Sequence, residues 1–152
     1  MTSQIRLVLL TVDGQTYALH LEAVDRVLHM AEVTPLPGAP HVVEGVINIQ
    51  GEVVPIVSIR RRLSLAERSV GAGDCLVVAR ARARRLAIIA ETVVGVVEHP
   101  VDAVVSAGDL AQGIQHIEGV LKTSDGLVLI HDLDRFFSAE EEQSLDLALE
   151  KG

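Results

Sequence analysis

Residues 45–60 of the chain read GVINIQGEVVPIVSIR, two apolar runs on either side of Gln50 and Gly51. Runs of this length, rich in Val and Ile and separated by a short connection that contains Gly, are typical of a β-hairpin. Pro55 has no amide hydrogen to donate, so it predicts an edge strand or a bulge for the second run. Four apolar side chains are expected to fill the core, namely Val46, Ile49, Val53 and Ile56.

This hairpin is part of a pattern that occurs twice in the chain. Residues 43–46 (VEGV) are followed by a turn and an apolar run. Residues 117–120 (IEGV) are similar, and they too are followed by a turn and an apolar run. Residues 17–24 are likewise echoed by residues 86–93. The offsets of the two echoes differ by about five residues, which a surface loop accommodates. Two echoes in the same order predict an internal duplication.

Turns divide the rest of the sequence into short strands. Asp13-Gly14 lies between two apolar runs and suits a tight hairpin turn, because both residues tolerate positive φ. Residues 34–40 contain three prolines and predict a loop, and residues 67–74 are interpreted as a flexible linker. Short strands with frequent turns, present twice, predict an all-β fold of two small barrels.

We assign residues 1–138 to one domain with two barrel halves, at roughly 1–70 and 71–138. The sequence leaves open whether the two halves share strands. A helix is expected to follow as the C-terminal segment 139–152, because Ser138 and Glu141 have the spacing of a capping box. The helix should run from residue 139 to about residue 150, and three side chains form its apolar stripe: Leu145, Ala148 and Leu149.

Composition limits the classes of partner. The formal net charge of -8 disfavours nucleic acid and anionic membranes, because both attract a positive field. No apolar run approaches the roughly 18 residues of a membrane span, and the short apolar run near the N-terminus is not a signal peptide. The single Cys75 lies in an apolar stretch and is expected to be buried and reduced, which indicates a reducing, intracellular compartment.

Arginines are concentrated in two places. Seven of them lie at positions 60–62, 80, 82, 84 and 85. The alternation of Arg and Ala in residues 80–84 predicts charged side chains in water, where they prevent pairing between sheet edges. A role in protein binding is left open for some of them.

The sequence contains no recognisable constellation for catalysis, a metal or a cofactor. No two of the six histidines are spaced three or four residues apart, as a helical metal site requires. Gly71-Ala72-Gly73 lacks the third glycine and the following helix of a dinucleotide fingerprint, so we interpret it as a turn. We therefore predict no catalytic residue, no metal and no cofactor.

The segment at residues 45–60 resembles the signature of the CheW-like family, roughly GVINLRGxIVPVIDLR. The opening residues 7–19 and the closing residues 117–138 support the resemblance, which covers nearly the whole chain. It implies two SH3-like five-stranded barrels and a chemotaxis adaptor without enzymatic activity. Family members join the cytoplasmic tips of methyl-accepting chemoreceptors to the regulatory domain of the CheA histidine kinase, so the resemblance implies a cytoplasmic protein recruited to receptor arrays at the inner face of the membrane.

Carried over by motif, the resemblance implies a protein-binding surface for receptor or kinase that consists of Val24, Arg26, Val27, Gly45, Asn48, Gln50 and Gly51. The chain departs from the family pattern at three places. Gln50 replaces the usual Arg, Arg26 a common Glu, and Ser58 the usual Asp. The first two departures predict an altered receptor preference, as in a coupling protein of another chemosensory array that serves twitching motility or gene regulation.

A small-ligand sensor is the alternative from a different functional class. A convergent polar pocket would favour the sensor, whereas an exposed apolar groove or sheet end would favour the adaptor.

Overall fold

The computed structural model describes residues 3–71, 73–82, 84–106 and 116–151. Within these ranges the chain forms β1 (Gln4–Val12), β2 (Gln15–His20), β3 (Val24–His29), β4 (Val43–Ile49), β5 (Glu52–Val57), α1 (Ile59–Arg62), β6 (Cys75–Arg80), β7 (Arg85–Ala90), β8 (Thr92–Pro100), β9 (Val104–Ser106), β10 (Ile117–Thr123), β11 (Gly126–His131) and α2 (Ala139–Lys151). Short 3-10 turns occupy Leu21–Ala23, Val101–Ala103 and Leu133–Arg135.

The strands form two curved sheets, which confirms the predicted all-β fold with two SH3-like barrels and a C-terminal helix. The five-stranded barrel has the order β3-β6-β7-β5-β4, and the six-stranded barrel has the order β8-β1-β2-β11-β10-β9. Five strands were predicted for each barrel, and the short strand β9 is the additional strand of the six-stranded barrel. Neighbouring strands are antiparallel except for the pairs β2/β11 and β5/β7, which are parallel.

Each barrel contains strands from both halves of the sequence. The hairpin β1–β2 comes from the first half but pairs with β8 and β11 of the second half. The hairpin β6–β7 comes from the second half but pairs with β3 and β5 of the first. The limits at residues 70 and 138 therefore remain predictions about the repeat in the sequence. Each sheet contains strands from both sides of residue 70.

The duplication predicted from sequence is visible in backbone details. A register shift lies between Val24 and Arg26 where β3 pairs with β6, and the equivalent strand β8 has its own shift where it pairs with β1. Gly45 and Gly119 also occupy equivalent positions, each tightly packed. A Cβ atom on Gly45 would overlap the carbonyl of Thr34, and one on Gly119 would lie 2.8 Å from the carbonyl oxygen of Val105.

Two hairpin turns have a left-handed backbone, as predicted for the first of them. Asp13 and Gly14 have φ of 56° and 76°, and Gln50 and Gly51 have φ of 52° and 89°. In the second turn the Asn48 side chain accepts a hydrogen bond from the Gly51 amide at 2.8 Å. These turns set the register of β1–β2 and β4–β5.

A central core fills the space between the two sheets, and each barrel also has its own interior core. In β6, Leu76 and Val78 face the interior of the five-stranded barrel, whereas Val77 and Ala79 face the central core. Because the strand is buried on both faces, it reads in the sequence as a continuous apolar run. Helix α2 covers the central core with Leu145.

Three expectations about burial need correction. Val53 is 52% exposed and Val46 is half-buried. Each lies three residues before a buried Ile of its own strand, Ile56 and Ile49 respectively, and side chains three residues apart point to opposite faces of a regular strand. Cys75 is half-buried rather than buried, since it is the first residue of β6.

Pro55 lies on an inner strand and not on an edge. The strand β5 pairs with β7 only at Ile56 and Val57, so Pro55 precedes that pairing and its missing amide leaves no ladder hydrogen bond unmade on that side. The bulge predicted for β5 is also absent at Pro55, which pairs regularly with Val46; the hairpin's register shift lies in β4, between Val43 and Gly45.

The segment 67–74, interpreted from sequence as a flexible linker, is attached to the fold in its described part. The carboxylate of Asp74 is buried, lies 3.0 Å from the Arg68 guanidinium and accepts a hydrogen bond from the Gly71 amide at 2.9 Å. None of the helices in the described ranges is long and apolar enough to cross a membrane.

Candidate protein-binding surface

Most of the predicted binding residues lie at one end of the five-stranded barrel, which we call the charged end. It consists of the strand β3 with Arg26 and Val27 and of the β4–β5 turn with Asn48, Gln50 and Gly51. All five are exposed, and Val27 is 44% exposed despite its apolar side chain. The predicted segments are thus accessible to a partner.

Arg85 connects the two segments and was not singled out as a site residue from the sequence. Its Nε lies 3.0 Å from a carboxylate oxygen of Asp25 on β3, and its Nη1 lies 3.1 Å from a carboxylate oxygen of Glu52 beside the turn. One guanidinium therefore joins both segments at the same barrel end. The cluster of arginines was the signal available in the sequence, but their partners are distant along the chain.

Two predicted site residues have a structural role. Gly45 is buried under Thr34, so it is not on the accessible surface, and its small size is required for that contact. Val24 is half-buried and packs against the central core. Ser58, the third departure, is buried and caps α1 by accepting a hydrogen bond from the Arg61 amide at 3.2 Å.

The equivalent end of the six-stranded barrel has different chemistry, and we call it the apolar end. Val94 occupies the position in β8 that Asp25 occupies in β3, and Thr16 occupies the position in β2 that Arg85 occupies in β7. Without this ion pair a groove of about 490 Å³ remains open, lined by Leu9, Thr16, Val94, Val97 and the hairpin that joins β10 to β11. Beside it Val96 is 57% exposed and Leu127 is 51% exposed.

A second cavity, of about 330 Å³, is polar and includes Arg60, Arg61 and Arg68 in its lining. Each of these arginines already has a carboxylate partner within the chain. Arg60 lies 3.1 Å from Asp13, Arg61 lies 3.3 Å from Glu44, and Arg68 is paired with Asp74. These three positive charges are therefore neutralised inside the protein, which gives an anionic ligand little to bind.

Glu91 joins this ion-pair network from the turn after β7. The Asp13 amide donates to its carboxylate at 2.9 Å, and this hydrogen bond, followed by that from Arg60, holds the pKa of Glu91 below its usual value. Glu91 in turn is the main cause of a raised pKa for Arg60. The network fixes the β1–β2 turn of one barrel to α1 and β7 of the other.

Helix α2 is fixed by the capping box and by two arginines. Ser138 Oγ accepts from the Glu141 amide at 3.1 Å while Glu141 accepts from the Ser138 amide at 2.8 Å, as predicted. Arg62 lies 2.6 Å from Glu141, and Arg84 pairs with Glu142 at 2.7 Å and with Asp146. Arg84, expected in water from the alternation in residues 80–84, is instead half-buried, with its side chain 15% exposed beside the helix.

The chain matches the CheW-like domain over residues 6–141. It belongs to the CheW-like family. The function predicted from the resemblance, a chemotaxis coupling scaffold, is confirmed by this membership.

Within the described ranges, no group of three or more His, Cys, Asp or Glu side chains is arranged to hold a metal ion.

Known CheW-like proteins resemble the chain over most of its length. The chemotaxis protein CheW of Treponema pallidum is 27% identical over 148 residues, which cover 93% of this chain and 87% of that protein. Protein FrzA of Myxococcus xanthus is 33% identical over 106 residues, or 68% of this chain and 65% of that protein. The crystal structure of the scaffolding protein TtCheW from Thermoanaerobacter tengcongensis has the same fold, with a TM-score of 0.82 at 20% identity over 93% of this chain and 96% of that one.

Proposed function

We propose that this CheW-like chain is a non-catalytic adaptor that joins the cytoplasmic tips of chemoreceptors to the regulatory domain of a CheA-type histidine kinase, in receptor arrays at the inner face of the membrane. The observation that carries the proposal is the pair of equivalent barrel ends with different surface chemistry. A scaffold needs two sites that do not compete for one partner. Different chemistry at the two ends gives each partner its own site.

The charged end is the proposed receptor site. Its proposed contact residues are Arg26, Val27, Asn48, Gln50 and Gly51, around the Arg85 ion pairs. Exposed charges at the rim of an interface set partner choice and association rate more than total affinity. This property suits discrimination among similar receptor tips.

The apolar end is the proposed kinase site. Val94 lines its groove, and the exposed Val96 and Leu127 extend the apolar surface beside it. Exposed apolar surface of this kind is typical of a protein-binding site, and a few buried apolar contacts supply most of the binding energy.

A charge at the apolar end should uncouple the kinase. We expect wild-type protein to raise kinase autophosphorylation when receptors are present, and Val96→Asp to weaken binding of the kinase regulatory domain at least tenfold, because the carboxylate would be desolvated without a partner. Leu147→Asp is the matched control, since Leu147 is also 57% exposed but lies on α2. Pull-down and autophosphorylation assays measure both effects.

Equal kinase activity with and without the wild-type protein would contradict the adaptor function. Equal binding by Val96→Asp and Leu147→Asp would leave the adaptor function standing and remove the apolar end as the kinase site.

Service in another chemosensory array, with an output such as twitching motility or gene regulation, is a second candidate supported by Gln50 and Arg26. Gln50→Arg combined with Arg26→Glu should change the affinity ranking among receptor tips, because the two substitutions change local charge by about one and two units. Both residues are exposed, so thermal stability should change by no more than about 0.5 kcal/mol in unfolding free energy.

The matched control for this double variant is Gln143→Arg with Arg135→Glu, which makes the same charge changes at exposed positions near the C-terminus. Titration of several receptor tips with wild type and both variants measures the ranking. If the first double variant keeps the wild-type ranking, Arg26 and Gln50 do not belong to the receptor site.

The small-ligand sensor has less support. The polar cavity around Arg60, Arg61 and Arg68 is the pocket that such a sensor would use, and the ion pairs of these residues with Asp13, Glu44 and Asp74 occupy it.

A further inference from the structure

His131 is a buried polar side chain whose burial the adaptor function does not explain. It is the last residue of β11, 2% exposed, at the point where the six-stranded barrel meets the central core. Its ring centroid lies 5.2 Å from that of Tyr17 on β2 and 6.1 Å from those of His116 and Phe136. Among the described residues neither ring nitrogen of His131 has a hydrogen-bond partner, and Nε2 of His116 has none. Buried polar atoms are normally paired, so the arrangement is costly.

The polar groups around His131 are already engaged. Asp132 accepts a hydrogen bond from the Asp134 amide at 3.1 Å, and the carbonyl of His116 accepts one from the Asp132 amide at 2.9 Å. Glu141 of α2 is paired with Arg62, whose guanidinium lies 5.9 Å from the centre of the Phe136 ring. If His131 were protonated in the packed structure, its charge would therefore have no carboxylate partner among the described residues.

Burial, followed by the neighbouring His116, lowers the pKa of His131 to about 3, against about 6.5 for an exposed histidine. The backbone of His116 approaches the ring and opposes this shift with a smaller effect. Burial and then Arg62 lower the pKa of His116 as well. Below pH 6.5 the unfolded chain binds a proton at position 131 that the folded chain excludes. The stabilising effect of neutral His131 is therefore complete above pH 6.5 and decreases as the pH falls toward 3.

We propose that His131 is an acid-sensitive joint: acid favours a locally opened form in which residues 132–138 have left the barrel and His131 is protonated, and this opening loosens the contact between the two barrels. These residues include the 3-10 turn at Leu133–Arg135 and the buried Phe136 and Phe137, which connect β11 to α2. Their release would open the central core locally. Any effect of this release on coupling to the kinase would rest on the proposed function. The release of residues 132–138 itself does not depend on that function.

The protein contains a natural reporter for this joint. Tyr17 is the single tyrosine, the chain has no tryptophan, and the ring of Tyr17 is next to His131. Tyrosine emission therefore reports on the joint, while far-ultraviolet circular dichroism reports on the barrels. On lowering the pH from 7.5 to 4.5, we expect the emission to change at a higher pH than the dichroism. Simultaneous loss of both signals would overturn a local release.

Urea unfolding at each pH measures the proton linkage. With Tyr17 emission as the signal, the ratio of packed to opened protein should fall about tenfold per pH unit between pH 6 and 4.5 through His131 alone, and His131→Phe should remove this slope. His29→Phe, at an exposed position, should keep it. His20, whose pKa Glu118 raises, acts in the opposite sense in all three proteins and cancels in the comparison.

Proton NMR of wild-type histidines tests the joint even if His131→Phe folds poorly. In the packed form the His131 ring should stay neutral, so any protonation of this ring should be accompanied by the change in Tyr17 emission. Titration of this ring near pH 6.5 with unchanged Tyr17 emission would overturn the proposal, as would equal pH slopes for wild type and His131→Phe.

Discussion

Gly45→Ala is expected to destabilise the protein by about 2–4 kcal/mol in unfolding free energy, because overpacking against backbone cannot be relieved by a rotamer change. The new Cβ would overlap the carbonyl oxygen of Thr34 and the side chain of Val33. That carbonyl accepts a hydrogen bond from the Val46 amide at 2.8 Å, and the Thr34 amide donates back to the Val46 carbonyl at 3.1 Å. Moving Thr34 away therefore breaks the contact that closes the five-stranded barrel.

Gly119→Ala should show a smaller loss in the same direction, since its Cβ would lie 2.7 Å from a methyl group of Val104 and 2.8 Å from the Val105 carbonyl oxygen. Gly73→Ala is the control, because a Cβ there meets nothing within 4 Å. Urea denaturation of the three variants measures the order. Equal stability of Gly45→Ala and Gly73→Ala would show that Gly45 has no packing role and would return it to the candidate binding residues.

Leu145→Ala should cost about 3 kcal/mol in unfolding free energy, the usual range for a large apolar side chain removed from a packed core being 2–5 kcal/mol. Leu145 is fully buried in the central core, where α2 contacts it. Leu147→Ala makes the same chemical change two residues away at a position that is 57% exposed, and it should change stability by no more than about 0.5 kcal/mol.

Thermal or urea unfolding of these two variants tests whether α2 is an integral part of the fold. If Leu145→Ala were no less stable than Leu147→Ala, the helix would be a surface appendage, and the ion pairs from Arg62 and Arg84 would not be needed to retain it.

Local patterns in the sequence were sufficient to predict the hairpin turns, the helix cap and the duplication. The turn at Asp13-Gly14 and the box formed by Ser138 and Glu141 depend on residues within four positions of each other, so the sequence specifies them directly. The close packing at Gly45 and Gly119 was not predicted, and Gly45 was assigned to the binding surface instead. Family membership, predicted from the motif at residues 45–60, is confirmed.

Long-range pairing could not be predicted in the same way. The exchange of hairpins between halves depends on which of several similar strands lie side by side, and the duplicated pattern permits both arrangements. Arg85 and Arg84 were recognised only as charges, because their partners Asp25 and Glu142 are distant in sequence. Burial at Val53 was misjudged because the motif was counted as a whole rather than by strand face.

The hairpin exchange also determines the order in which the chain can fold during synthesis. Strand β1 pairs with β8, with Gln4 opposite Pro100, and β2 pairs with β11, with Ala18 opposite Ile130. The first hairpin therefore waits for residues more than a hundred positions later before its barrel closes, and such non-local pairing slows folding. The other barrel needs β6 and β7 and cannot close from the first half alone. A chain that ended at residue 70 would therefore contain all the strands of neither barrel.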